Sequence, residues 1–277
     1  MGRPHRAFSP WRFSLSVALQ FILLLLGLRL AAPALWKRQT AAGFGAFILV
    51  FLGVHLFTCF FEWGFHRYVL HSVVAPWRVL KRFAREHRHH HALTNIQLCR
   101  DGAGPGRIVL SRYPITDVEQ FEDAVFPVYA LVGFWLLLTP LLVAAQHLLP
   151  QAPIYLGGYA AIAWSMLAYE IFHWVGHLPY EWWKNATEHP RCGGFWRRVY
   201  GFHHFHHANV SSNEAISGFF GLPLADWVLR TYHQPPELLL HGRIATAKDF
   251  AVRSPWPIIA WLDRQARMRE SRVLRSP

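Results

Sequence analysis

The chain of 277 residues contains 18 histidines, and twelve of them stand in four groups: His66-x4-His71, Glu86-His87-Arg88-His89-His90-His91, His173-x3-His177 and Tyr200-Gly201-Phe202-His203-His204-Phe205-His206-His207. On a helix, residues at i, i+3 and i+4 share a face. His87, His90 and His91 then point together, as do His203, His206 and His207, while His173 and His177 make an i, i+4 pair. His89 and His204 fall off those faces. His66 and His71 lie about 140° apart around a regular helix, so they serve two ions or sit where the helix unwinds. Ten imidazoles without a thiolate suit iron, zinc or copper better than calcium or magnesium, and ten are too many for one ion. The spacing therefore predicts a dinuclear metal centre. A lone His in an apolar segment, such as His55 or His147, reads as a hydrogen-bonded core residue, and His5, His189, His233 and His241 read the same way. The three cysteines, Cys59, Cys99 and Cys192, form no C-x-x-C pair, which excludes a disulfide framework and a thiolate zinc site.

Apolar segments must position these groups. Hydrophobic residues make up 53% of the chain and charged residues 16%, against roughly 25% charged in soluble domains. The net charge of +12 fits nucleic acid or an anionic membrane surface, and the hydrophobicity selects the membrane and not nucleic acid. A bilayer core of about 30 Å needs about 20 apolar helical residues. Stretches free of acidic and basic residues predict four transmembrane helices, at about 11–31, 41–62, 124–146 and 154–172, the last two separated at Pro150 and Pro153. Ala32-Pro33-Ala34 also resembles a signal cleavage site, but the first apolar run is long for a signal and no disulfide-rich ectodomain follows it.

The loop 63–123 is rich in Arg and Lys, whereas the turn at 147–153 has neither. The positive-inside rule then puts the long loop, the C-terminus and all four histidine groups on the cytoplasmic side. The expected architecture is an all-α, multi-pass integral membrane protein: a single domain over 1–277 with a cytoplasmic helical cap, a histidine core at about 62–232 and a basic amphipathic tail at about 253–277. Ligating imidazoles usually donate their second N–H to a carboxylate, carbonyl or water, which makes Glu62, Glu86, Glu170, Asn209, Asn213 and Asp226 candidates for that supporting role. Trp174, Tyr180, Trp182, Trp183 and Trp196 fit an interfacial belt, and Phe219–Trp227 reads as a segment resting on the membrane surface. The stretch Asp101-Gly-Ala-Gly-Pro-Gly106 lacks the Gly-Lys-Ser/Thr of a phosphate loop.

In their order HRYVLH (66–71), HRHHH (87–91), HWVGH (173–177) and HHFHH (203–207), the four motifs resemble those of the fatty acid hydroxylase and sterol desaturase superfamily of membrane dinuclear iron oxygenases, over roughly Glu62 to Tyr232. The resemblance implies metal ligands at His66, His71, His87, His90, His91, His173, His177, His203, His206 and His207, with His204 the rival of His203. It implies two iron ions, with zinc possible in recovered protein, O2 as co-substrate, and hydroxylation or desaturation of a lipid such as a fatty acyl chain or sterol entering from the bilayer. Some eukaryotic members carry a fused cytochrome b5 domain. Nothing before Trp11 could hold one, so a separate electron donor, cytochrome b5-like or ferredoxin-like, is expected, and the chain leans toward a bacterial inner membrane. The competing class is a membrane metal-binding or metal-transport protein that uses the clusters as a loading site. A transporter places ligands at mid-bilayer, whereas here the clusters follow the ends of the spans.

Overall fold

The computed structural model of the chain describes residues 8–74, 76–99, 107–117, 120 and 124–275. In chain order its helices are α1 (Pro10–Ala31), α2 (Pro33–Ala41), α3 (Phe44–Phe65) followed by a π-helical turn (His66–Leu70), α4 (Arg78–Leu93), α5 (Ala130–Leu148), α6 (Ile154–Gly176), α7 (Tyr180–Thr187), α8 (Gly193–Ala208), α9 (Leu224–Leu229) and α10 (Pro257–Arg275). Its strands are β1 (Ile96–Leu98), β2 (Arg107–Ser111) and β3 (Ile244–Ala245). The Gly-rich stretch 101–106 lies outside the described residues. The chain divides into two compact units, one of Phe8–Phe61 and Phe126–Ile171, the other drawing on Glu62–Val125 and Phe172–Pro277.

The first unit is helical and apolar. Pro10 fits the first turn of α1, where its missing N–H costs nothing, and the Ser9 hydroxyl accepts from Arg12 N–H at 3.4 Å. Among the described residues, three helices are long and apolar enough to cross a membrane: Pro10–Ala31, Phe44–Leu70 and Ala130–Leu148. Three of the four expected spans are among them. The segment at 154–172 does form α6, but Tyr155, Tyr159, Ser165, Tyr169 and Glu170 dilute its apolar content. The second span starts at Phe44 because Gly43 adopts φ +83°, a left-handed conformation that breaks the helix after α2. The third starts at Ala130 instead of 124, where a turn closes with Ala130 N–H donating to Pro127 C=O at 2.7 Å.

Several polar side chains inside this unit are paired. Gln39 Oε1 accepts from the otherwise unpartnered first amides of α6, Tyr155 and Leu156, at 2.9 and 3.1 Å, and Gln39 Nε2 donates to Gln146 Oε1 at 2.8 Å. Gly157 lets α6 meet α3, since a Cβ there would lie 2.7 Å from Val50 Cγ1. His55 hydrogen-bonds Ser165 Oγ at 2.9 Å, the core role expected of a lone histidine in an apolar helix.

The second unit departs from an all-α fold. Its strands form a small antiparallel sheet in the order β1-β2-β3, with Gln97 opposite Leu110 and Ile108 opposite Ile244. The sheet helps build a core of Ile96, Val109, Tyr113, Trp183, Tyr200, Phe205, Leu238, Leu239 and Ala245. Trp183 therefore belongs to this core and not to an interfacial belt, whereas Trp182 is exposed. The basic tail forms α10 as expected, and its few acids tie it down: Asp263 pairs with Arg67, and Glu270 pairs with Arg88 and accepts from Val73 N–H at 3.3 Å.

Candidate metal centre

Four elements bring the histidines together within the second unit. On α4, His87, His90 and His91 are buried while His89 is exposed, as the helical spacing requires. On α8, burial reaches His203, His204, His206 and His207 alike. The α6 pair His173 and His177 is one helical turn apart. His66 and His71 become neighbours because the chain unwinds between them: His71 N–H donates to His66 C=O at 3.1 Å, an i to i+5 bond that puts five residues on one turn. Their rings stack with centroids 4.9 Å apart. Of the two sequence alternatives for this pair, the unwound helix is the one observed.

The ten imidazoles separate into two groups able to hold a metal ion, His66, His71, His87, His91 and His206 in one and His90, His173, His177, His203 and His207 in the other, each with ligand atoms within 4.8 Å of one another. The two H-x-x-H-H motifs are shared reciprocally. The α4 motif gives two ligand positions to the first group and one to the second; the α8 motif does the reverse. His203 is in a group and His204 is not; His204 packs against Tyr113 and Tyr200, ring centroids 4.8 and 5.4 Å away.

Hydrogen bonds fix which nitrogens face inward. A carbonyl oxygen can only accept, so an Nδ1 bonded to one must carry the proton and leave Nε2 with a lone pair. This holds for His66 on Glu214 C=O (2.6 Å), His206 on Ser212 C=O (2.7 Å), His90 on Gln120 C=O (3.2 Å), His177 on Tyr113 C=O (2.8 Å) and His207 on Thr94 C=O (3.2 Å). The Nε2 atoms then converge. His90 and His177 approach at 3.0 Å, His203 lies 3.1 Å from both His177 and His207, His66 and His87 are 2.9 Å apart, and His71 and His206 are 3.0 Å apart. Between His90 and His177 both nitrogens carry lone pairs, so no hydrogen bond joins them unless one ring is protonated. Burial opposes that, first by desolvation and then through neighbouring imidazoles, and it holds His71, His87, His91, His177, His203, His206 and His207 well below the usual histidine range. A cation between the lone pairs resolves the conflict. Imidazole nitrogens bind such ions at about 2.1 Å, a reach that these clustered Nε2 atoms would allow. The donor set thus fits borderline metal ions.

The six candidate supporting side chains make the following hydrogen bonds and ion pairs. Glu62 accepts from Ser217 N–H at 2.8 Å and from the Ser217 hydroxyl, Glu86 pairs with Arg82 at 2.6 Å, and Glu170 accepts from Phe126 N–H at 2.8 Å. Asn209 donates to Phe250 C=O at 3.3 Å, and Asn213 joins Phe202 C=O and His233. Asp226 accepts from Glu214 N–H, Ala215 N–H and Thr231 Oγ1, at 2.6 to 3.0 Å. Asn213 and Asp226 thereby shape the loop that presents the Ser212 and Glu214 carbonyls to His206 and His66. Residues that the spacing argument passed over include Glu214, fully buried and paired with Arg67 at 2.8 Å, Thr94, whose hydroxyl meets His207 Nδ1 at 2.9 Å, and Tyr113. A buried acid directly after Asn213 was the available signal for Glu214.

No family model, curated protein or solved structure matches the chain. What the geometry supports by itself is a metalloprotein with two histidine clusters of the histidine-box type, in a chain with apolar helices long enough to cross a membrane.

Proposed function

We propose that this protein is a membrane-bound di-iron oxygenase that hydroxylates or desaturates a C–H bond of a lipid. The observation that carries the reading is the pair of five-imidazole groups, with facing lone pairs that a cation would reconcile, in a chain whose apolar helices lead directly in sequence into two of the four motifs. Two irons held by these ten residues would supply the O2 chemistry that no side chain can perform on an unactivated C–H bond. The chain supplies the rest. The carbonyls of Glu214, Ser212, Gln120, Tyr113 and Thr94 hold five rings in one tautomer and one orientation. Burial of nearly every imidazole keeps them neutral and excludes water, while His71, the one member less than fully buried, marks the open side. With no carboxylate in either group, the set is all-nitrogen, unlike the Glu-rich sites of soluble di-iron bundles.

The test is metal content and oxygen transfer in the same preparation. Protein purified anaerobically in detergent is expected to bind about two irons per chain, to lose them in the His90→Ala, His206→Ala double variant, and to move 18O from O2 into added lipid when supplied with a reductant. Absence of stoichiometric metal, or metal unaffected by the two substitutions, would remove the oxygenase reading.

A further inference from the structure

Beside the first histidine group, within the same unit, lies a cavity of about 180 Å³ whose lining includes Arg67, Arg230, Arg253, Arg267, Ser212 and Asp263. Arg67 is fully engaged: its guanidinium donates to Asp263 Oδ1 and Oδ2 at 2.8 Å each, to Glu214 at 2.8 Å and to Ser211 C=O at 2.7 Å. Arg230, Arg253 and Arg267 are exposed around this fixed floor, and Asp263, already held by Arg67, is the one acid of the lining. Three added positive charges over one satisfied carboxylate make a site for a doubly charged anion, and the planar fork of arginine matches phosphate oxygens.

Two further observations say what the anion is attached to. Arg230 ends α9 with φ 62°, a left-handed position where Gly or Asn is usual and another residue costs on the order of 1 kcal/mol. Its guanidinium lies 5.3 Å over the ring of Trp256, which is itself held by an Nε1–H bond to Val228 C=O at 2.8 Å. Close in sequence to the lining residues Arg230, Pro255 and Asp263, the side chains of Trp227, Val228, Trp256, Ile258 and Trp261 are all exposed. A basic pocket with Trp256 against its Arg230 and exposed aromatic and aliphatic side chains on the adjoining segments suits a ligand that is anionic at one end and apolar beyond it. The volume agrees, being below the roughly 300–1,000 Å³ that encloses a whole small molecule, so the pocket takes a headgroup and leaves the chains outside.

We propose that this cavity binds the phosphate group of an anionic lipid. Its floor is shared with the first histidine group, because the Ser212 carbonyl receives His206 Nδ1–H and Arg67 follows His66 in the π turn. A phosphate held there anchors the lipid at a fixed place relative to that group. As recognition of the substrate this rests on the oxygenase reading, so binding is measured apart from turnover.

The experiment is calorimetric titration of the full chain in uncharged detergent with dihexanoyl phosphatidate, dihexanoylglycerol and inorganic phosphate, with metal content determined on the same samples. Phosphatidate is expected to bind at least about tenfold more tightly than either other ligand. The Arg230→Gln, Arg253→Gln, Arg267→Gln variant should lose at least about tenfold for phosphatidate alone, while the corresponding triple Lys variant, which keeps the charge, retains most of it. Far-UV circular dichroism and metal content serve as the folding controls. Inorganic phosphate binding as tightly as phosphatidate would overturn the lipid assignment, dihexanoylglycerol binding as tightly would reduce the site to an apolar patch, and an unaffected Gln variant would overturn the pocket itself. Metal-free protein that still discriminates in favour of phosphatidate would support the pocket while removing the oxygenase reading. Metal-loaded protein that does not discriminate would do the reverse.

Discussion

The His71 group and the His177 group each contain five imidazoles and meet different surroundings. The His71 group takes two members from a π-helical turn and lies against charge: Glu214 Oε2 is 3.7 Å from His66 Nδ1, and Arg67 ties Glu214 to Asp263. The His177 group takes two from a regular α-helix and meets neutral groups, the Thr94 hydroxyl and the carbonyls of Tyr113, Gln120 and Thr94. Backbone carbonyls hold rings in both sets, but the first adds an ion-pair network and the second a hydroxyl. The difference teaches that the two groups should fail in different ways, the first on loss of a charge and the second on loss of packing or a hydroxyl.

The largest break in that comparison is Arg67→Leu. It strands Glu214 in the interior and is expected to cost about 3–5 kcal/mol in denaturant unfolding, with the His71 group losing its ion before the other does. Equal loss from both groups would show that they do not differ in this respect. Next come His71→Ala and His177→Ala, each expected to lower bound metal by about one ion per chain at saturating metal; if either removed both ions, neither group would hold its ion without the other. Acid acts on both groups. Buried histidines with lowered pKa stay neutral while the unfolded chain takes up protons below about pH 6.5, so stability is full above that value and falls as pH drops. Each pH unit costs up to about 1.4 kcal/mol per histidine that remains neutral, and circular dichroism melts from pH 7.5 to 5 check the sign. Thr94→Val removes the hydroxyl beside His207 and should weaken metal binding at the His177 group by about ten- to a hundredfold, leaving the His71 group unchanged in a competitive chelator titration. Smallest of all, His89→Ala on the exposed face of α4 should leave metal content unaltered and stability within about 0.5 kcal/mol.

Histidine spacing made most of the site legible in the sequence. The i, i+3, i+4 rule separated His87, His90 and His91 from His89, and the structure buries the first three and exposes the last. Three kinds of feature escaped it. A π turn has no compositional mark, so the spacing of His66 and His71 admits two readings, and the i to i+5 bond decides between them. Backbone carbonyls are present at every residue, and the acceptors for five imidazoles therefore could not be read from residue types, which pointed instead to carboxylates such as Glu62 and Asp226. Strands of two, three and five residues are too short for a period of two to register, and the sheet that places Tyr113 went unseen. In α6, scattered Tyr residues and Glu170 explain why a charge-poor stretch is less apolar than the other three expected spans.

The reciprocal sharing of α4 and α8 ties the two groups mechanically. His90 and His91 are consecutive on one helical turn yet belong to different groups, and so do His206 and His207. Neither turn can be ordered for one ion without being ordered for the other. The first ion to arrive bears the entropy of arranging both helices, and the second meets a site already assembled. Loading should therefore be sigmoidal, with singly loaded chains scarce even at half saturation.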